Sequence, residues 1–175
     1  LPPPLRRQRQ MCIRDRVYDH LVSAEAWSPG LFSETAFVQL DEVVSAARGD
    51  ASFSDEIDKH LLSRLSGGYR TFLTIDGQAT RPDLEATRHR AAILENGGLG
   101  VQLLGIGVNG HVGFNEPGCE PDSRCRVTEL SKSTLQRNGY APGTRAVTPL
   151  PRSQSTGCPA SLLRGHPDLA LFLDR

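Results

Sequence analysis

The sequence predicts an α/β fold: a mainly parallel sheet with helices on both faces. Three observations predict it. Short apolar runs rich in β-favouring residues occur at 36–40, 70–75 and 99–106, stretches with helical periodicity separate them, and glycines or acids follow the runs. Strands that alternate with helices need crossover connections, which favour parallel pairing, and open sheets of this kind gather ligands at the carboxyl ends of their strands.

Residues 1–16 stand apart from this pattern. Pro2, Pro3 and Pro4 precede Arg6, Arg7, Arg9, Arg14 and Arg16 with almost no apolar periodicity. Such an arm has the composition of a nucleic-acid tail or a transit peptide. The string Gln8–Arg16 reads instead as translated non-coding sequence, so 1–16 is expected to be non-native or disordered. The globular pattern occupies 17–148. Pro149, Pro151, Pro159 and Pro167 break up 149–175, which reads as a divergent or frameshifted tail.

The run Ala36–Leu40 is the first expected strand, and Asp41 and Glu42 lie at its carboxyl end. Phe53, Ile57, Leu61 and Leu65 recur at four-residue spacing behind a Ser52/Asp55 capping box, so 53–65 is expected to be an amphipathic helix. Arg70–Ile75 reads as a strand closed by Asp76 and Gly77. A second helix is expected at 82–95, with Thr80 and Asp83 at its start and Asn96-Gly97-Gly98 at its end. Leu84, Thr87, Ala91 and Leu94 would line its inner face. Leu99–Ile106, apolar and flanked by glycines, reads as a buried parallel strand.

The stretch Leu104–Gly118, LGIGVNGHVGFNEPG, is the part that packing alone does not explain. Gly105, Gly107 and Gly110 allow a tight turn after the 99–106 run, and His111 and Glu116 would be held in it. An imidazole exchanges protons near neutral pH, and a nearby carboxylate can fix its tautomer. Gly105, Gly107 and Gly110 also satisfy the dinucleotide pattern G-x-G-x-x-G. That pattern needs a helix after its third glycine, and His111, Gly113 and Pro117 argue against one.

Composition narrows the rest. The 175 residues suffice for one domain, and 20 basic residues balance 20 acidic ones, so no broad attraction to nucleic acid or membrane is implied. The apolar runs are too short to span a bilayer. Cys12, Cys119, Cys125 and Cys158 form no CxxC pair, and no His lies at metal-ligand spacing, so neither a zinc site nor a disulfide framework is expected. A cytoplasmic location fits best.

LGIGVNGHVGFNEPG closely resembles the signature segment of the glucosamine-6-phosphate deaminases, and a strand ending in Asp-Glu, as at 36–42, resembles a second segment of that family. The related 6-phosphogluconolactonases share the GxGxxGH turn but typically continue with a Thr-Ala-Ser-Leu-Phe-Pro type of segment. Phe114-Asn115-Glu116-Pro117 therefore favours the deaminases, with a lactonase-type hydrolase or a non-catalytic sugar-phosphate-binding relative as alternatives. The resemblance covers 17–148. It implies a modified Rossmann-like three-layer sandwich, incomplete at both ends, that isomerises and deaminates glucosamine 6-phosphate.

By the same resemblance the base maps onto Asp41 and the ring-opening proton shuttle onto His111. Asn109 occupies the position where the family has Asp or Asn, and its neutral amide can orient the imidazole but leaves Glu116 to offset positive charge. Glu42, Gly107 and Gly110 are the expected substrate contacts. The implied partner is a small amino sugar phosphate, with no metal or organic cofactor, no nucleic acid and no membrane; a homo-oligomer is compatible with the family. The family's Thr-Gly-Gly-Thr-Pro phosphate loop has no counterpart before Val17, which leaves Arg137 or Arg145 for the phosphate and predicts little or no activity and poor solubility. Cys119, Glu120, Arg124, Arg126 and Thr128 do not reproduce the family's allosteric site, so no allosteric activation is expected.

Overall fold

The computed structural model describes residues 5–45, 52–107, 109–120 and 123–148, with side chains from Arg16 onward. The expectations for 149–175, for Cys158 and for the Cys12 side chain lie outside the described residues.

Helix α1 spans Leu5–Trp27. No glycine or proline interrupts it, and leucine, arginine, glutamine and methionine are good helix formers. The helix includes the backbone of 5–16 and runs on through Val17. Ser28, Pro29 and Gly30 end it. Glu25, fully buried, accepts hydrogen bonds from the backbone N–H groups of Gly30 (2.8 Å), Phe32 (3.3 Å) and Gly67 (3.0 Å), which ties the end of α1 to the turn before the next strand.

Strand β1 (Ala36–Val38) pairs in parallel with β3 (Thr71–Leu73), and Phe37 lies opposite Phe72. Between them α2 (Phe53–His60) begins at the expected capping box: the Ser52 hydroxyl accepts from the Asp55 N–H, and the Asp55 carboxylate accepts from the Ser52 N–H. A 3-10 turn at Leu62–Arg64 replaces the helix's expected last turn. Leu61, Leu62 and Leu65 form a core with Leu21, Phe32, Phe37 and Ile57 packed around it.

Helix α3 runs Pro82–Glu95 as expected, although Arg81 rather than Thr80 occupies the N-cap. Its buried face is Glu85, Ala86, His89 and Ile93, not Leu84, Thr87, Ala91 and Leu94; Leu84 and Leu94 are more than half exposed. Hydrogen bonding chooses the face. Glu85 accepts from the Asp76 N–H (2.8 Å) and from Arg88, while His89 Nε2 donates to the Gln39 carbonyl (3.0 Å).

The run 99–106 corrects a second expectation. Leu99, Val101, Leu103 and Ile106 are exposed, Val101 at 84%, and the run's backbone makes one isolated bridge, Ile106 to Val112. Apolar composition favours a strand only where a neighbour completes its ladder, and among the described residues no strand lies beside this run.

The second sheet is antiparallel, in the order β2 (Glu42–Val44), β5 (Arg145–Thr148), β4 (Arg126–Glu129). The described ladders are thus one parallel pair and two antiparallel pairs. Helix α4 (Lys132–Asn138) follows β4, capped by the Ser131 hydroxyl, which accepts from the Thr134 N–H, and closed by Gly139 in the left-handed region. Phe114, Leu130 and Ala146 form a core joined by Val43, Phe53 and Leu135. No helix among the described residues is long and apolar enough to cross a membrane.

Candidate active site

Gln39-Leu40-Asp41 is where the chain leaves one sheet for the other. The Gln39 N–H still donates to Leu73 O (2.9 Å), and Glu42 already pairs with Val147 of β5. Asp41, at the corner, is the half-buried carboxylate of this switch.

The glycine-rich loop reaches the same corner. Gly113 has φ +57°, a backbone state that glycine adopts without strain, and a methyl on it would lie 3.0 Å from Asp41 Oδ2 and 3.2 Å from Thr148 Oγ1. The Phe114 N–H donates to Thr148 Oγ1 (3.2 Å), and the Phe114 ring stacks on Phe53 with centroids 6.3 Å apart. The apolar ring anchors the loop, and Asp41 Oδ2 occupies the space beside Gly113, two residues beyond His111, that a side chain there would need.

Gly107 packs directly beneath the imidazole: a Cβ there would overlap Cε1, Nε2 and Nδ1 of His111. The Gly107 N–H donates to His111 O (2.8 Å), and the Gly110 N–H, at φ +81°, donates to Gly107 O (2.9 Å). Both glycines, expected to touch substrate, therefore shape the turn that holds His111.

Asn109 joins the imidazole to the carboxylate. Its Nδ2 donates to Glu116 Oε2 (2.7 Å), so its Oδ1 is the oxygen that accepts from His111 Nδ1 (2.6 Å). That bond places the proton on Nδ1 and leaves the lone pair on Nε2. Glu116 Oε2 lies 3.7 Å from Nδ1, beyond hydrogen-bond range, and acts on the ring through Asn109.

Burial opposes charge on Glu116, but hydrogen bonds from Thr134, Asn109 and Ser131 outweigh it and hold the carboxyl below its ordinary value. Burial also pushes His111 below the usual imidazole value; Glu116 opposes that shift and Arg137 reinforces it. The site thus combines a neutral imidazole with an ionised carboxylate. Thr134, fully buried, bonds Glu116 and lies 3.5 Å from His111 Nδ1. Neither Thr134 nor Ser131 was singled out from the sequence.

Glu42 has a different place from the one expected. It is buried: Oε1 accepts from the Val43 N–H (3.0 Å), and Oε2 accepts from the Phe53 N–H (2.9 Å) and Gln39 Nε2 (2.7 Å). Burial raises its carboxyl above the ordinary value. It braces the Asp41 corner against the start of α2, and both of its oxygens accept from protein donors.

Known proteins share this arrangement of chain. The sequence is 30% identical over 193 aligned positions to the glucosamine-6-phosphate deaminase of Bacillus velezensis, covering 90% of this chain and 80% of that protein. The chain belongs to the glucosamine-6-phosphate deaminase family. It is also 31% identical to the glucosamine-6-phosphate deaminase of Oceanobacillus iheyensis over 156 residues, 89% of this chain but 62% of that protein's length. A solved monomeric glucosamine-6-phosphate deaminase superposes with a TM-score of 0.73 over 88% of this chain and 78% of its own, at 23% identity, and so shares the fold. No family model matches the chain.

Proposed function

We propose that this deaminase-family chain converts glucosamine 6-phosphate to fructose 6-phosphate and ammonia, with Asp41 as the base that moves a proton from C2 to C1. The observation that carries the reading is the position of Asp41 Oδ2, 3.0 Å from where a methyl on Gly113 would lie, beside a His111–Asn109–Glu116 relay. His111, neutral with its lone pair on Nε2, takes the C1 hydroxyl proton and returns one to the ring oxygen as the sugar opens. Asp41 then removes the C2 proton, so that C1=C2 forms while the C1 carbonyl electrons move to O1, which takes a proton from the substrate's ammonium; the amine lone pair then forms C2=N as the same carboxyl returns its proton to C1. The product is a 2-imino sugar. Water adds to its C2 and ammonia leaves, so the net reaction consumes one water and is hydrolytic at the C–N bond.

Arg137 is the better candidate for the phosphate, because its charge acts on His111, whereas Arg145 stands in β5 opposite Glu129 and Val44. Free thiols at Cys119 and Cys125 fit a reducing cytoplasm. The partner is the small amino sugar phosphate, bound by one chain or by each chain of a homo-oligomer. The test is to incubate the 175-residue chain with glucosamine 6-phosphate in deuterated water and follow ammonia and label at C1. Slow ammonia release with exchange, lost in Asp41→Asn, is expected. Fast hydrolysis of 6-phosphogluconolactone without ammonia would overturn the reading.

A further inference from the structure

The base at the corner needs something to hold it there, and the residue so placed is Gln39. It is fully buried, yet each of its polar groups is engaged. Its N–H donates to Leu73 O (2.9 Å) and its carbonyl accepts from His89 Nε2 (3.0 Å). In the side chain, Oε1 accepts from the Ile75 N–H (2.9 Å), and Nε2 donates to Asp41 O (3.0 Å) and to Glu42 Oε2 (2.7 Å). One amide therefore joins the end of β3, the backbone of Asp41 and the carboxylate that grips α2.

We infer that Gln39 is the positioning residue of Asp41, fixing the direction in which its carboxylate leaves the corner between the two sheets. The inference rests on the reading of Asp41 as the base. Packing alone does not call for an amide in this place. A leucine or methionine fills similar volume, whereas a buried amide is tolerated only when its donors and acceptors are paired. What the amide supplies that an apolar side chain cannot is a fixed distance between Ile75 N, Asp41 O and Glu42 Oε2. Two neighbours complete the clamp. Glu42 fastens the far side of the corner to Phe53, and His89 fastens the near side to α3.

The test uses the full chain with Gln39→Met, Gln39→Glu and Asp41→Asn. Gln39→Met removes both side-chain arms at nearly constant volume. It should lower kcat by about 30-fold or more with KM within threefold, since a misplacement of about 1 Å costs on the order of 10²-fold. Amide exchange should accelerate at 39–45 while α3 and β4 keep wild-type protection. That second readout does not depend on turnover. Gln39→Glu sets a carboxyl against Glu42; only its protonated form can donate, so its activity relative to wild type should fall as pH rises from 5 to 8, and this arm stands if Gln39→Met does not fold. Unchanged kcat and unchanged exchange at 39–45 in Gln39→Met, with Asp41→Asn inactive, overturn the positioning role alone. If Asp41→Asn remains active, the assignment of the base is wrong and the role of Gln39 goes with it.

Discussion

Gly107→Ala separates the placement of His111 from the strength of its backbone. Gly107 lies outside the left-handed region, so alanine meets no conformational penalty there, and a reduced unfolded-state entropy favours it by about 0.4–1 kcal/mol. The new methyl would nevertheless occupy the space of three atoms of the His111 ring, where ordinary contact begins at 3.4 Å. The ring must move by about 1 Å, a displacement worth on the order of 10²-fold in rate for a group that must meet a reacting atom. The 2.6 Å bond to Asn109 is lost with it, at about 1 kcal/mol, so the two stability effects nearly cancel. Expected are a midpoint of thermal unfolding within a few degrees of wild type, ammonia release reduced about 100-fold, and an imidazole titration moved up toward 6.5 as the ring gains water. An ammonia rate within threefold of wild type, with an unchanged His111 titration, would refute the argument that Gly107 exists to seat the ring.

Four further outcomes are expected. Asn109→Asp places a carboxylate against His111 Nδ1, so the His111 titration followed by NMR should move upward. His89 and His111 are both held below 6.5 by burial, so the stability they contribute is complete above that value and is lost as pH falls through their folded-state values; His89→Gln should flatten the slope of denaturation free energy below pH 6.5. Gly67→Ala forces a methyl into the backbone of Gly30 and the Glu25 carboxylate and should cost about 1–3 kcal/mol or more, while Gly68→Ala, at φ +73° with open space around it, should cost about 1 kcal/mol; urea unfolding distinguishes them. Cys125, pushed up to about 11 by burial, should alkylate with iodoacetamide on the order of 100-fold more slowly at pH 8 than an ordinary thiol.

The parts of the fold legible in the sequence are those governed by local rules. The Ser52/Asp55 capping box and the Pro82–Glu95 helix appear where short-range hydrogen bonding and proline placement put them. The inner face of α3 was not legible, because it is chosen by two polar contacts, Glu85 to Asp76 and His89 to Gln39, with residues 9 and 50 positions away. Counting leucines picks the opposite side. The 99–106 run shows the same limit, since strand propensity is a property of the segment and pairing is a property of its neighbours. At the site, His111, Glu116 and Asp41 were legible as chemistry, but the sequence could not say that Asn109 stands between the first two or that Glu42 faces inward.

Thr134, Asn109 and Ser131 together account for a carboxylate that stays ionised while buried. Ser131 caps α4 through its hydroxyl and gives its own N–H to Glu116 Oε1 (3.2 Å), and Asn109 gives Nδ2 to Oε2. Each donor serves a second purpose, one ending the β4–α4 turn and the other fixing the His111 tautomer, so the charge is stabilised by groups the fold needs in those positions anyway. This explains why Glu116 need not touch the imidazole. A carboxylate in direct contact with Nδ1 would favour the charged ring and raise its pKa; set behind a neutral amide, it orients the ring while burial keeps the ring neutral. A neutral imidazole can accept a hydroxyl proton in the first half of ring opening, and a protonated one cannot. The amide at position 109 therefore keeps His111 neutral, and under the proposed role of His111 in ring opening it predicts a rate that falls on the acid side as His111 is protonated.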